Sequence, residues 1–278
     1  MDKYVAFLDI LGFKSVLENT KHEEAKNYIS KFSSVVYSEW KHSNCQNING
    51  FIVSDSIVIY SHYDCNPNTL IELIDFIDKV CKEEFVQNCI LIRGAIAKGE
   101  FDRMSAIELS TLEKGLIVGQ AYVDAYSLES TSKVPGIILS DEVYDDTANI
   151  LKYCDSIFEE KKKDSKKKGS KSTHIYRYLS SEFLLSTSNL KNFMSMAKAS
   201  NWLSHYHNAI YYAFQHEKDM NMNQVFDRIF MELSLDNPNK KQKYIDAFIK
   251  SVFKDDVSEI YQQRFLQYIR QKLFDSSI

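Results

Sequence analysis

Two aspartates, Asp9 and Asp55, each sit against apolar residues in this 278-residue chain. An unpaired ionised carboxylate in apolar surroundings is costly, so such acids generally face a metal ion or a cationic side chain. A carboxylate pair holding magnesium favours phosphoryl or nucleotidyl transfer. The ion needs substrate phosphate oxygens to complete its octahedron, and it offsets charge on a leaving pyrophosphate. Gly12 lets the backbone turn directly after Asp9, so that amides near Phe13 and the start of the next helix can face phosphate oxygens, with Lys14 beside them. A purely structural reading stands beside this one: Asp9 as a cap of the following helix, Asp55 as a turn residue.

The elements that must position these acids can be read from apolar periodicity. Tyr4 to Leu8 is a continuous apolar run ending at Asp9, which predicts a buried strand entering a tight Leu11-Gly12-Phe13 turn. Ala25, Tyr28, Ile29, Phe32, Val35 and Val36 recur at helical spacing and predict a helix that gives out near Ser43. Gly50 to Ser54 and Ile57 to Tyr60 flank Asp55 and predict a β-hairpin with the acid at its tip. Asn66-Pro67-Asn68 starts a second helix, whose stripe runs from Leu70 to Cys81. Ile90 to Ala97 is strand-like and Gly99 is expected to end it. A mixed loop reaches Gly115, Gly119 to Glu129 reads as loop into helix with Ala121, Ala125 and Leu128 on one face, and Pro135 to Leu139 gives another strand.

This order predicts an α/β (α+β) sheet of ferredoxin-like type with a hairpin at its centre. If the strand ending at Asp9 pairs antiparallel with the hairpin strand leading to Asp55, both carboxylates fall on neighbouring strands, close enough to share a divalent cation. Glu159 to Lys171, with two triple-lysine runs, is expected to be a loop. His174 to Leu179 is a last strand candidate, and everything beyond Ser188 reads helical, with breaks near Asp219 and Pro238. The expected division is a catalytic domain over 1–180 and a helical extension over 181–278.

Composition bounds the possibilities. Hydrophobic residues make up 44% and charged residues 26%, with 17 Phe and 17 Tyr against 8 Gly and 3 Pro, which excludes disordered and collagen-like classes. The 34 basic and 38 acidic residues give a charge of −4 and no global field towards nucleic acid or anionic membrane, so any polyanion must meet a local site. Five cysteines without a C-x-x-C pair indicate neither a disulfide framework nor a zinc ribbon, and His205 and His207 lack a third ligand at a recognisable spacing. No apolar run is long enough to span a bilayer, and the N-terminus does not read as a signal peptide; a cytoplasmic location is expected.

Four motifs in order, Asp9-Ile10-Leu11-Gly12-Phe13, Ser54-Asp55, Arg93 to Gly99 and Gly119 to Ser130, together resemble the class III nucleotide cyclases. Asp9-Ile10-Leu11-Gly12-Phe13 is similar to their D-I-x-G-F motif, and Ser54-Asp55 to the second acid at the hairpin tip. Arg93 to Gly99 looks like the R-x-G-I-x-x-G strand, and Gly119 to Ser130 follows the G-x-x-V-N-x-A-x-R-x-x-S helix start in order and spacing. The similarity covers roughly residues 4 to 180. It implies two divalent ions, Mg2+ or Mn2+, held by Asp9, Asp55 and the Ile10 carbonyl, with the Phe13 amide and Arg93 on the triphosphate. The reaction implied is attack of the ribose 3′ hydroxyl on the α-phosphate. One metal would lower the pKa of that hydroxyl, while the other, with the Arg93 guanidinium, offsets triphosphate charge. An edge salt bridge is the structural alternative for Arg93.

Departures from the purine enzymes narrow the expectation. Val123 and Ser127 replace the Asn and Arg that position ribose and stabilise the transition state. Phe51 replaces the purine-reading residue four positions before Asp55, and the other such position falls near the apolar Leu116. Together with Tyr126-Ser127-Leu128-Glu129 and a tail containing Trp202 to Asn208, these look like the pyrimidine cyclases of bacterial Pycsar antiphage systems. The resemblance implies UTP or CTP as substrate, cyclic UMP or cyclic CMP as second messenger, and a separate effector that responds to it. Phe51 stacks on or crowds the base, or is plain core. Lys98 and Tyr126 are the candidates to replace the missing transition-state donor. The family's head-to-tail pairing implies a homodimer with two composite sites. Competing expectations are a catalytically inactive cyclase-like nucleotide sensor and a palm-type enzyme joining nucleotides between molecules, the latter disfavoured by the missing G-G-[DE]-E-F hairpin.

Overall fold

A computed structural model describes residues 2–63, 65–109, 112–131, 135–148, 150–163, 170–180, 183, 227, 229–231 and 234–252. The chain divides into two compact units, Met1–Tyr178 and Leu179–Ile278.

The first unit is built on a seven-stranded, mostly antiparallel sheet with strand order β2-β3-β1-β4-β7-β9-β8. Its strands are β1 (Asp2–Ile10), β2 (Ile48–Val53), β3 (Ser56–Ser61), β4 (Ile92–Glu100), β7 (Ile137–Leu139), β8 (Ile157–Lys163) and β9 (Ser170–Tyr176). β1 is fully flanked, by β3 on one side and β4 on the other, both antiparallel. Its faces are covered too, Val5 and Phe7 packing with Ala121 and Ala125 on one side and Tyr4, Ala6 and Leu8 buried on the other, which explains its unbroken apolar run, because a strand covered on both faces has no polar alternation to display. Between the strands lie α1 (Phe13–Asn19), α2 (His22–Ser43), α3 (Pro67–Asn88), α4 (Gln120–Thr131) and α5 (Asp141–Ala148).

Local chemistry sets the element ends. Asn66 caps α3 by accepting a hydrogen bond from the Thr69 amide at 3.0 Å, with Pro67 in the first turn. α2 carries Glu23 and Glu24 in its first turn and Lys41 and His42 in its last, matching the helix dipole. Gly12 holds φ 87°, a left-handed conformation that lets β1 turn at once into α1.

α4 packs on one face of the sheet. Val5, Phe7, Val58, Ala97, Phe101, Ala121 and Ala125 form a single buried cluster there. Trp40 of α2 meets Gly50 on the opposite face, where Tyr4 also hydrogen-bonds to Asp146 of α5. At Gly94 a Cβ would lie 2.6 Å from the Phe7 carbonyl oxygen, so the β1–β4 contact requires glycine there.

Several expectations need correction. Asp9 pairs in register with Ser56, so the partner of β1 is the strand that leaves Asp55, not the one leading to it; β2 is the edge strand and the hairpin forms one end of the sheet. β4 continues through Gly99 to Glu100, since its φ of 158° is close to extended. The expected mixed loop is a separate antiparallel ribbon, β5 (Asp102–Leu109) with β6 (Leu112–Val118). Its exposed Met104, Leu116 and Val118 explain why it showed no clean alternation. The Glu159–Lys171 segment is not all loop: β8 runs to Lys163 at the sheet's outer edge and β9 begins at Ser170. α5 was not foreseen, because eight residues give too little periodicity to read.

In the second unit, α6 (Pro238–Val252) begins where Pro238 was expected to break the chain. Asn237 caps it, accepting from the Lys240 amide at 2.9 Å, and Ile245 is buried. The expected helices over 189–226, the break near Asp219 and the Trp202–Asn208 segment lie outside the described residues, apart from the helical tail that α6 represents.

Candidate functional site

The two acids converge at one end of β1. The Ile10 amide donates to the Asp55 carbonyl at 3.1 Å, tying the hairpin tip to the strand end. Ser54, beside Asp55 in the two-residue turn, has φ 57°, a left-handed conformation costing a non-glycine residue about 1 kcal/mol. Such strain is commonly retained where a side chain must be aimed.

Asp9 is only partly accessible. Its Oδ1 accepts from the Ser56 hydroxyl at 3.0 Å, and its Oδ2 faces an Arg93 terminal nitrogen at 3.4 Å. Burial, then the charge of Asp55, pushes the Asp9 carboxyl above the usual carboxylate range, while Ser56 and Arg93 pull it back. The two acids therefore carry negative charge that their protein partners do not fully offset.

Arg93 stands opposite Asp9 in the β1–β4 register, so both side chains emerge on the α4 face. Its Nε lies 2.5 Å from Oε1 of Glu129, a charge contact made off the N–H axis. Glu129 is 3% exposed. Burial raises its pKa first; Arg93 lowers it, and Asp9 and Asp55 raise it again, which places all three acids within one electrostatic neighbourhood. Sequence reasoning did not single out Glu129. The signal was present: Ala121, Ala125 and Glu129 form an i, i+4, i+8 stripe facing the sheet, and an acid on that stripe is out of pattern.

The remaining predicted residues divide. Phe51 emerges on the same face as Asp9 and Phe7, half-buried, with the Arg103 guanidinium 4.2 Å from its ring centre. Tyr126 is 53% exposed and sets its ring edge against Phe7 at 5.2 Å. Val123 is also exposed on α4, as is Ser127. The Phe13 side chain is buried, stacked with Tyr28, which leaves its backbone as the part available to a ligand. Lys14 is exposed and reaches Glu18 at 3.7 Å.

Lys98 does not join the site. In register with Tyr4, it emerges on the opposite face of the sheet, where its Nζ bonds Asp146 at 2.7 Å. The reason is parity: Arg93 and Lys98 are five residues apart on one strand, and odd spacing sends side chains to opposite faces.

The Asp9 and Asp55 carboxylates and the Ile10 carbonyl are oxygen donors, the type that hard divalent cations such as Mg2+ or Mn2+ take, and the mutual repulsion of the two acids fits such a group. Among the described residues no group of three or more His, Cys, Asp and Glu side chains is arranged to hold a metal, so substrate oxygens or water would complete the shell. A polar groove of about 310 Å3 on α2 and α3, lined by residues such as Asn27, Ser34 and Asn88, contains no acid and offers no comparable chemistry. No described helix is long and apolar enough to cross a membrane.

No family model matches the sequence, and no curated protein matches it. Solved structures do. The catalytic core of a rhodopsin-guanylyl cyclase with converted specificity, in complex with ATPalphaS, aligns with a TM-score of 0.50 at 18% identity, over 63% of this chain and 94% of that one. The adenylyl cyclase CyaB from P. aeruginosa aligns at 0.48 and 16% identity, over 63% and 93%. The guanylate cyclase domain of RhGC from Catenaria anguillulae, in complex with GTP, aligns at 0.47 and 17%, over 63% and 95%.

The first of these likenesses gives the α/β unit the fold of a nucleotide cyclase catalytic core.

Proposed function

We propose that this chain is a nucleotide cyclase acting on a pyrimidine nucleoside triphosphate, UTP or CTP, to give 3′,5′-cyclic UMP or cyclic CMP and pyrophosphate. The observation that carries the reading is the convergence of Asp9 and Asp55 at the end of β1, with Arg93 on the same face. The cyclase fold of the unit supports it.

Asp9, Asp55 and the Ile10 carbonyl would hold the divalent ions, which, when bound, lower the pKa of the attacking hydroxyl and offset charge on the triphosphate. Arg93 supplies a planar cation whose fork matches phosphate oxygens, and the Phe13 amide and Lys14 flank the turn after Asp9. Phe51 occupies the base position, and its bulk favours a single-ring base. Tyr126, exposed on α4, serves a second copy of the chain: in a head-to-tail homodimer it completes the partner's site. The exposed Val123 beside it supports an α4 face that is covered in the dimer. The division into catalytic domain and helical extension, a cytoplasmic setting, and a role producing a messenger for a separate effector in antiphage defence belong to the same proposal.

Purified chain incubated with each of the four ribonucleoside triphosphates and Mn2+ tests it, with products resolved by mass. A cyclic pyrimidine monophosphate is expected. Metal-dependent nucleotide binding without turnover would instead favour a sensor, the reading that the absent Asn and Arg on α4 support. Shared sites have their own test: mixing Asp9→Ala and Tyr126→Ala chains regains activity if each site draws on two copies, and no recovery would count against the composite arrangement.

A further inference from the structure

Resting on the cyclase reading, we propose that Glu129 is a positioning residue for Arg93: a sheltered anion that fixes the guanidinium where a triphosphate chain lies. The guanidinium sits between two carboxylates of different character. Glu129 is reached at 2.5 Å by Nε and its side chain is 5% exposed; Asp9 is reached at 3.4 Å by a terminal nitrogen and is 18% exposed. The tighter contact is thus with the acid that solvent and ligands do not reach, and the looser one is with the acid that faces them.

A carboxylate on the inward stripe of α4 is costly unless it is paired. Ala121 and Ala125, two turns and one turn earlier, keep the helix close to β1 and β4, and that closeness brings the third member of the stripe onto Arg93. When a cation occupies Asp9, the Arg93–Asp9 attraction is lost to like-charge repulsion. Glu129 then holds the Nε end of the guanidinium and leaves the terminal nitrogens directed towards the acid pair, where phosphate oxygens arrive. Without Glu129, Arg93 is drawn further towards Asp9, blocking both the acid and itself.

This makes a prediction against simple electrostatics. Replacing Glu129 by a neutral residue makes the site one charge more positive, which by itself tightens anion binding. Loss of positioning weakens it. Calorimetric titration of the full chain with inorganic tripolyphosphate, without metal, separates the two. Wild type is expected to bind, Glu129→Gln about threefold more weakly because the amide keeps the side chain's shape beside Nε without its charge, and Glu129→Leu at least tenfold more weakly. Arg93→Gln should bind as poorly as Glu129→Leu, and adding Glu129→Leu to Arg93→Gln should change nothing further. With nucleotide and Mn2+, Glu129→Leu should lower kcat more than it raises KM.

Melting temperatures of each variant identify loss of fold, and Glu129→Gln keeps the shape if Glu129→Leu does not. Equal or tighter tripolyphosphate binding in both Glu129 variants overturns the proposal, as does absence of binding by wild type or a Glu129→Leu effect that persists undiminished in the Arg93→Gln background. Failure of the cyclase reading shows separately, as wild type that turns over no triphosphate while this order of affinities holds.

Discussion

The same two strands, β1 and β4, carry two ionic clusters, and they differ in kind. Near the start of β1, Tyr4 and Lys98 meet Asp146: the phenol donates to the carboxylate at 2.8 Å and the ammonium at 2.7 Å. One acid, one base and one hydroxyl satisfy each other, and burial together with Asp146 pushes the Tyr4 hydroxyl pKa far up, keeping it a donor. At the other end, on the opposite face, Arg93 meets Asp9 and Glu129 while Asp55 adds its field. Three acids share one guanidinium there, and the contacts are longer or misaligned. A balanced cluster ties elements together; an acid-rich one is built around a cation that the chain does not itself supply.

Substitutions should separate the two. Asp9→Ala and Asp55→Ala are expected to abolish triphosphate turnover, a loss of about a thousandfold or more, measured by product mass against wild type. Arg93→Gln should cost about a hundredfold in kcat/KM, the scale of removing a charged donor from a transition state. Lys98→Met should leave turnover within about threefold while lowering unfolding stability by roughly 1 kcal/mol, read by urea denaturation. A turnover loss at Lys98 as large as that at Arg93 would erase the distinction.

The acid-rich end also predicts a pH and metal dependence. The folded-state pKa of Asp9 is raised, so its contribution to metal-free stability is greatest at low pH and is lost as pH rises through that pKa. At neutral pH, Mn2+ should therefore raise the melting temperature of wild type, and Asp9→Asn should raise that of metal-free protein and abolish the Mn2+ shift. Glu84 supplies the control for burial alone. Fully buried on α3 with Asn88 as its hydrogen-bond donor, it is pushed up to about 8 by desolvation. Glu84→Gln should stabilise the protein by on the order of 2 kcal/mol at pH 9, with the gain vanishing below pH 4, and should leave metal binding unchanged.

Much of this was legible in the sequence, for reasons that differ by element. β1, α2, the Asp55 hairpin and α3 carry long apolar patterns or explicit caps, and burial on one or both faces enforces those patterns. The β5–β6 ribbon, with Met104, Leu116 and Val118 exposed, and the edge strand β8 carry no alternation that burial compels, and they read as loops. Asp9 and Asp55 were visible because charge beside apolar strands is conspicuous, and Arg93 through the resemblance of its strand to the cyclase motif. Lys98 was misplaced because residue type was weighed without strand parity. Glu129 was overlooked because its neighbours on α4, Tyr126 and Ser127, drew the comparison with the purine enzymes, and the face of Ala121 and Ala125 was continued to Leu128 where the structure continues it to Glu129.

The most direct measurement is the mass-resolved product of purified chain with ATP, GTP, CTP or UTP and Mn2+, run beside Asp9→Ala and Asp55→Ala. A cyclic pyrimidine monophosphate formed by wild type and absent from both variants is the predicted result. A cyclic product that survives in either variant, or no turnover of any triphosphate, would contradict a catalytic role for the acid pair at the end of β1.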